Sequence, residues 1–157
     1  MSEANTHVSR RRFCAGACQV ASGATIATLF PGCGGGSPTS PSGAASMLAV
    51  LSGRFAGSTV QVNVAGSPLA DAGGAALVQS IAGVFLVSRT STTAFTAIEA
   101  TCTHEGCTIT GADGAAYVCP CHGSRYNRNG QVLAGPARAA LRQFPATFAD
   151  GLVTIAL

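Results

Sequence analysis

"STVQVNVAG" (residues 58–66) decides how the chain is read. Val60, Val62 and Val64 alternate with Gln61 and Asn63, and a glycine closes the run. A period of two puts the valines on one face, as a half-buried strand requires. The same kind of segment recurs on both sides. Upstream lies "MLAVLSG" (47–53). Downstream, "ALVQSI" (76–81) and "VFLVSRT" (84–90) read as a hairpin around Gly83. "FTAIEATCTH" (95–104) is a strand running into one cysteine, and "AAYVCP" (115–120) runs into another. "QVLAG", "LRQFP" and "LVTIAL" complete the series. From Met47 onward no segment keeps a helical period for long. Short strands punctuated by Gly, Pro, Asp and Asn predict an all-β domain, an antiparallel sandwich or barrel.

The totals bound the function. The chain has 157 residues, 47% hydrophobic and 10% charged, which is too apolar for disorder and too short for several domains. The formal net charge of +3 misleads, because Arg10, Arg11 and Arg12 supply it. Beyond Cys33, Arg54, Arg89, Arg125, Arg128, Arg138 and Arg142 stand against Asp71, Glu99, Glu105, Asp113 and Asp150. Near-neutrality there gives no footprint for nucleic acid. Asp71, in "SPLADAGG", reads as a turn former.

The first third reads as an address and a tether. "SRRRF" (9–13) resembles the twin-arginine export signal, and residues 13–32 carry no charge. Cys33 ends this stretch where a lipoprotein signal places its lipid-bearing thiol, although Phe30 and Pro31 fit that pattern poorly. The rival reading is an uncleaved signal anchor with Cys33 a bystander. Cys14 and Cys18 read as small apolar fillers. "GGGSPTSPSGAAS" (34–46) has the composition of a flexible linker. The expected organisation is a signal or anchor over 1–33, a linker over 34–46 and a folded domain over 47–157. The domain is expected to be exported and tethered on the periplasmic side of a membrane.

Two loops carry the chemistry: "CTHEGCTI" (102–109) and "CPCHGSRYN" (119–127). Each follows a strand and each offers a cysteine and a histidine, Cys102 with His104 and Cys119 with His122. Thiolates and imidazoles converging at the tip of a β-domain suit zinc or iron. Cys107 and Cys121 are left over, one in each loop and in corresponding places. A disulfide between them would staple the loops, which an exported protein can keep.

The pair C-x-H-x-G-C and C-P-C-H-G-S closely resembles the Rieske iron–sulfur proteins. The motifs span residues 102–127, within loops expected over about 101–127, and the strand pattern from Met47 agrees with that family's all-β domain. The resemblance implies an antiparallel β-sandwich or barrel with a small cluster-binding subdomain at its tip. It implies one [2Fe–2S] cluster, with Cys102 and Cys119 on one iron and His104 and His122 on the other. It implies a disulfide between Cys107 and Cys121, a pair that low-potential members lack. Ser124 and Tyr126 stand where high-potential members place hydroxyls that donate to sulfur, and such donors favour the reduced cluster. Gly135 and Pro136 resemble the start of the loop that covers the cluster.

Two departures bear on partners. Arg138 stands where a second proline is usual, and Glu105 where quinol-oxidising members often carry an apolar residue. The resemblance therefore implies one-electron transfer in one of two settings. In the first, the chain is the iron–sulfur subunit of a quinol–cytochrome c oxidoreductase, with quinol, a cytochrome b subunit and a c-type cytochrome as partners. There an exposed imidazole, His122 before His104, accepts the quinol proton as the cluster takes its electron. In the second, the chain is a solitary tethered carrier or a small subunit of another periplasmic oxidoreductase, and the residues alone do not decide whether it is an enzyme. A structural Cys2His2 zinc site would leave Cys107, Cys121, Ser124 and Tyr126 unexplained. Arg125 and Arg128 read as solvated surface charges.

Overall fold

The computed structural model describes residues 45–157, so the expected export signal, Cys33 and nearly all of the expected linker lie outside the described residues. Among the described residues, fourteen short strands form three sheets. The middle sheet is β12-β7-β6-β5-β2, made of β2 (Ala49–Ser52), β5 (Ala75–Ser80), β6 (Gly83–Arg89), β7 (Phe95–Glu99) and β12 (Gln143–Phe144). Its backbone pairing is antiparallel except for β2 on β5, where Ala49–Ser52 run parallel to Ala76–Gln79. That parallel pair departs from the all-antiparallel expectation. The chain between β2 and β5 crosses through another sheet, so the direction of the pair is not set by a local turn.

The second sheet holds the opening stretch. β4 (Thr59–Asn63) pairs with β3 (Arg54–Ala56) and with β14 (Leu152–Ala156), which also pairs with β13 (Ala146–Ala149). The third sheet orders β1 (Ser46–Met47), β8 (Gly111–Asp113), β9 (Ala116–Val118), β10 (Arg125–Tyr126) and β11 (Val132–Ala134).

The middle sheet is apolar on both faces, and the period of two sorts its side chains. Ala76, Val78, Phe85, Val87, Phe95 and Ala97 join Val60, Val62, Val64, Val153 and Ile155 in one core. Leu77, Leu86 and Ile98, the residues between them, join a second core with Ile109, Tyr117, Cys102, Cys119, Tyr126 and Ala137. The second core seats the loops. Both cysteine-rich segments are anchored by buried residues on the far face of the middle sheet. Asp71 caps a one-turn 3-10 helix, Pro68–Ala70, and its carbonyl accepts from the Gly74 N–H. Among the described residues no helix is long and apolar enough to cross a membrane.

Candidate metal centre

The two loops are local copies of one another. Cys102 N–H donates to the Cys107 carbonyl and Gly106 N–H donates back to the Cys102 carbonyl, at 2.8 and 2.9 Å. In the other loop Cys119 N–H donates to the Ser124 carbonyl and Gly123 N–H to the Cys119 carbonyl, at 2.8 and 3.0 Å. Each loop needs a glycine at its fifth position for the same reason. Gly106 and Gly123 have φ of +75° and +69°, and a Cβ on either would touch nothing. Backbone conformation, not space, selects glycine there. The bridge between Thr101 and Thr108 closes the first loop, and β9 leads directly into the second.

This equivalence corrects one sequence expectation. Cys107 and Cys121 are joined by a disulfide, but they do not hold corresponding places. By hydrogen bonding, Cys107 matches Ser124, whereas Cys121 matches His104. The staple therefore links the end of one loop to the middle of the other.

Cys102 and Cys119 are free and buried. The rings of His104 and His122 stand perpendicular with centroids 5.0 Å apart. Their side chains differ in exposure, 27% for His104 and 49% for His122, so His122 presents the larger edge to solvent. His104 Nδ1 is buried without a hydrogen-bond partner. Glu105 reaches both rings, with Oε1 at 3.8 Å from His104 Nε2 and Oε2 at 3.5 Å from His122 Nδ1.

Behind the thiols lies a layer of hydroxyls. Tyr126, fully buried, brings Oη to 3.2 Å from Cys102 Sγ. Burial pushes the Cys102 thiol up, but Tyr126 Oη, the His104 backbone, Cys119 and Ser124 together hold it below the usual cysteine value. Cys119 is pushed above that value by burial, relieved by the Cys121 N–H and worsened by its neighbour Cys102. The chain has thus arranged donors for negative charge on Cys102 sulfur. Ser124 is fully buried and its Oγ accepts the Ala137 N–H at 3.2 Å. Gly135 passes so close over Ser124 that a Cβ would lie 2.6 Å from Ser124 Cα. Gly135, Pro136, Arg138 and Ala139 share a groove with His104.

Thr103 belongs to this layer and was missed in the sequence. Its Oγ1 donates to the Ala139 carbonyl at 2.6 Å and lies 3.1 Å from Tyr126 Oη. Its position between two ligand candidates was the available signal. Arg125 and Arg128 also differ from expectation. Arg125 Nη2 is 2.8 Å from Asp113 Oδ2, and Arg128 stacks 4.4 Å above the Tyr117 ring, so neither is a free surface charge.

The donor set suits a metal centre. Two buried thiols, one held below the usual cysteine value, share their two loops with two imidazoles, one with an orphaned buried nitrogen that a metal ion would satisfy. Thiols and imidazoles in equal number match the asymmetric ligation of a Rieske centre. Residues 53–145 match the family described as the Rieske [2Fe-2S] domain. The cytochrome b6-f complex iron-sulfur subunit of Prochlorococcus marinus (strain MIT 9211) is 42% identical over 74 residues, covering 45% of this chain and 42% of that protein. The cytochrome b6-f complex iron-sulfur subunit 2 of Synechocystis sp. is 39% identical over 84 residues, covering 51% and 47%. The chain spans less than half the length of these curated relatives. The solved structure of Sphingomonas yanoikuyae B1 ferredoxin shares the fold, with a TM-score of 0.50 at 21% identity over 73% of this chain and 99% of that one.

Proposed function

The chain belongs to the Rieske [2Fe-2S] domain family, and we propose that it works as the iron–sulfur subunit of a quinol-oxidising complex with cytochrome partners. Rieske electron transfer follows from the family; the complex is the reading that the relatives' names support, since they are cytochrome b6-f subunits. In this reading Cys102 and Cys119 hold one iron, and His104 and His122 hold the other. The bound cluster supplies one reversible electron, in a family range of roughly −150 to +300 mV.

The single observation that carries a high-potential assignment is the Tyr126 hydroxyl at 3.2 Å from Cys102 Sγ, beside the disulfide Cys107–Cys121. A donor to that sulfur stabilises the more negative, reduced state. In this reading Ser124, buried under Gly135, would donate in the same way. The more exposed His122 edge is where an electron, and a quinol proton with it, would arrive. The residues before 45 would deliver the domain by the twin-arginine route and tether it outside a membrane. That route suits a cluster inserted before export, because it moves folded cargo.

Glu105 favours a second reading. Its carboxylate lies within 3.8 Å of both imidazoles and is 60% exposed, so the outer edge carries charge that an apolar quinol does not complement. A tethered carrier docking a protein partner fits that edge. Redox titration of the purified protein followed by EPR tests the common core of both readings, with a rhombic signal and an upper-range midpoint expected. A colourless, diamagnetic protein that keeps stoichiometric zinc would overturn it. Copurification with a cytochrome b subunit separates the complex from the carrier.

A further inference from the structure

Beyond Gly135, residues 136–140 make no backbone–backbone hydrogen bond among the described residues. Two hydrogen bonds hold their backbone, and both partners are hydroxyls. The Ala137 N–H donates to Ser124 Oγ at 3.2 Å, and the Ala139 carbonyl accepts from Thr103 Oγ1 at 2.6 Å. Ser124 and Thr103 stand on different cysteine-rich loops. One stretch of chain therefore grips both loops, each through the hydroxyl layer behind Cys102.

The two grips act on the Cys102 sulfur in opposite senses, because chemistry fixes which group donates. An amide N–H can only donate, so Ser124 Oγ accepts from Ala137 and keeps its own hydrogen for another acceptor. Against the upward push of burial, Tyr126 first and Ser124 last among its neighbours hold the Cys102 thiol below the usual cysteine value. A hydroxyl that accepts a bond becomes a better donor, so the Ala137 bond strengthens Ser124 toward sulfur. A carbonyl can only accept, so Ala139 takes the Thr103 hydrogen. Thr103 Oγ1, 3.1 Å from Tyr126 Oη, is left as an acceptor that competes with Cys102 Sγ, 3.2 Å away, for the single phenol hydrogen. The Ala139 bond thus weakens Tyr126 toward sulfur.

We propose that this stretch sets the redox potential by opposed control of the two hydroxyls, with Ala137 and Thr103 as its positioning residues. Donation to a ligand sulfur favours the reduced state. The bond to Ser124 therefore raises the potential, and the bond from Thr103 lowers it. Lifting the stretch releases both at once. Ser124 then donates less, whereas Thr103 recovers its hydrogen and the phenol turns wholly to the sulfur. The proposal rests on the reading that Cys102 holds a [2Fe–2S] cluster. Gly135 is the handle by which the stretch can be moved, since a Cβ there would lie 2.6 Å from Ser124 Cα.

Redox titration of the purified, cluster-loaded protein tests this by adding Gly135→Ala to two backgrounds. In Tyr126→Phe only the Ser124 grip remains, and Gly135→Ala should lower the midpoint. In Ser124→Ala only the Tyr126 grip remains, and the same change should raise it. A severalfold shift in the ratio of reduced to oxidised cluster, at fixed potential, is expected each way. General loosening of the site would move both backgrounds in one direction, so shifts of the same sign, or none, would overturn the proposal. Thr103→Val keeps the test valid if Gly135→Ala does not fold. It should raise the midpoint in Ser124→Ala and leave it in place in Tyr126→Phe, where no phenol hydrogen is left to free, and any other pattern would overturn the Thr103 grip. Ser124→Ala should also speed hydrogen exchange at the Ala137 amide, which involves no electron, and unchanged protection would overturn the Ser124 grip. A parent protein without a reducible cluster would remove the reading beneath the proposal, whereas a loaded one with same-sign shifts would remove the proposal alone.

Discussion

Tyr126 has one hydroxyl hydrogen and two claimants. Cys102 Sγ is 3.2 Å away and Thr103 Oγ1 3.1 Å. Thr103 has already given its own hydrogen to the Ala139 carbonyl, which can only accept, so toward Tyr126 it too can only accept. The Thr103 N–H meets the same oxygen at 3.3 Å and donates to it. Tyr126→Phe is therefore expected to lower the midpoint potential, on the order of 50 mV for a tenfold loss of relative stabilisation in a one-electron couple. Thr103→Val should move it the other way, by leaving the sulfur as the phenol's sole acceptor, while Thr103→Ser should stay near the parent value. Redox titration of the three variants reads all of this, and a fall in Thr103→Val would refute the competition. The motif made Tyr126 legible in the sequence. Thr103 showed only its position between two ligand candidates, because a loop threonine ordinarily bonds its near neighbours, whereas this one reaches Ala139, 36 residues on.

At the scale of elements, legibility followed the range of the interaction that fixes each strand. β4 declares itself, since Val60, Val62 and Val64 are all buried as their spacing requires. β5 and β6 do too, with the turn at Ile81 and Ala82 just ahead of Gly83. β3, β8 and β10 run to three residues or fewer and show no period, so only their partners define them. The parallel register of β2 on β5 is likewise a property of the assembled sheet. The loops depend on two restraints that can be removed singly. The disulfide closes a segment with a sequence separation of 14. Replacing Cys107 and Cys121 by serine should cost about 3 kcal/mol, the chain-entropy value for a loop of about 15 residues, read from denaturant midpoints. Gly135 is the other restraint. It has φ of +96°, and its absent Cβ would meet the Ser124 backbone at 2.6 and 3.0 Å. Gly135→Ala should lift the covering loop and break the bond from Ala137 N–H to Ser124 Oγ. Faster hydrogen exchange at the Ala137 amide would report it, and unchanged protection would mean the loop is held elsewhere.

The three sheets act together through the second core, and the two tyrosines report on that directly. The chain has two tyrosines and no tryptophan, so the phenolate ultraviolet band arises from Tyr117 and Tyr126 alone. Both are fully buried between the middle sheet and the third sheet. Burial raises Tyr117, with Ser88 and Arg128 opposing, and burial followed by the Cys102 sulfur raises Tyr126. The neutral phenol is therefore favoured in the folded state of both. The sign for stability follows: this contribution is fully present below the unfolded tyrosine value of about 10 and is lost as pH rises above it, because the unfolded chain then ionises first. In an alkaline titration the folded protein should show no phenolate band through about pH 10, and the band should then appear together with loss of the β-sheet circular dichroism. Coincidence of the two signals means that the core opens as one unit. A phenolate band that grows while the sheet signal is intact would show instead that the third sheet detaches from the middle sheet before the rest unfolds. In that case the hydroxyl layer behind Cys102 would be lost before the fold that supports it.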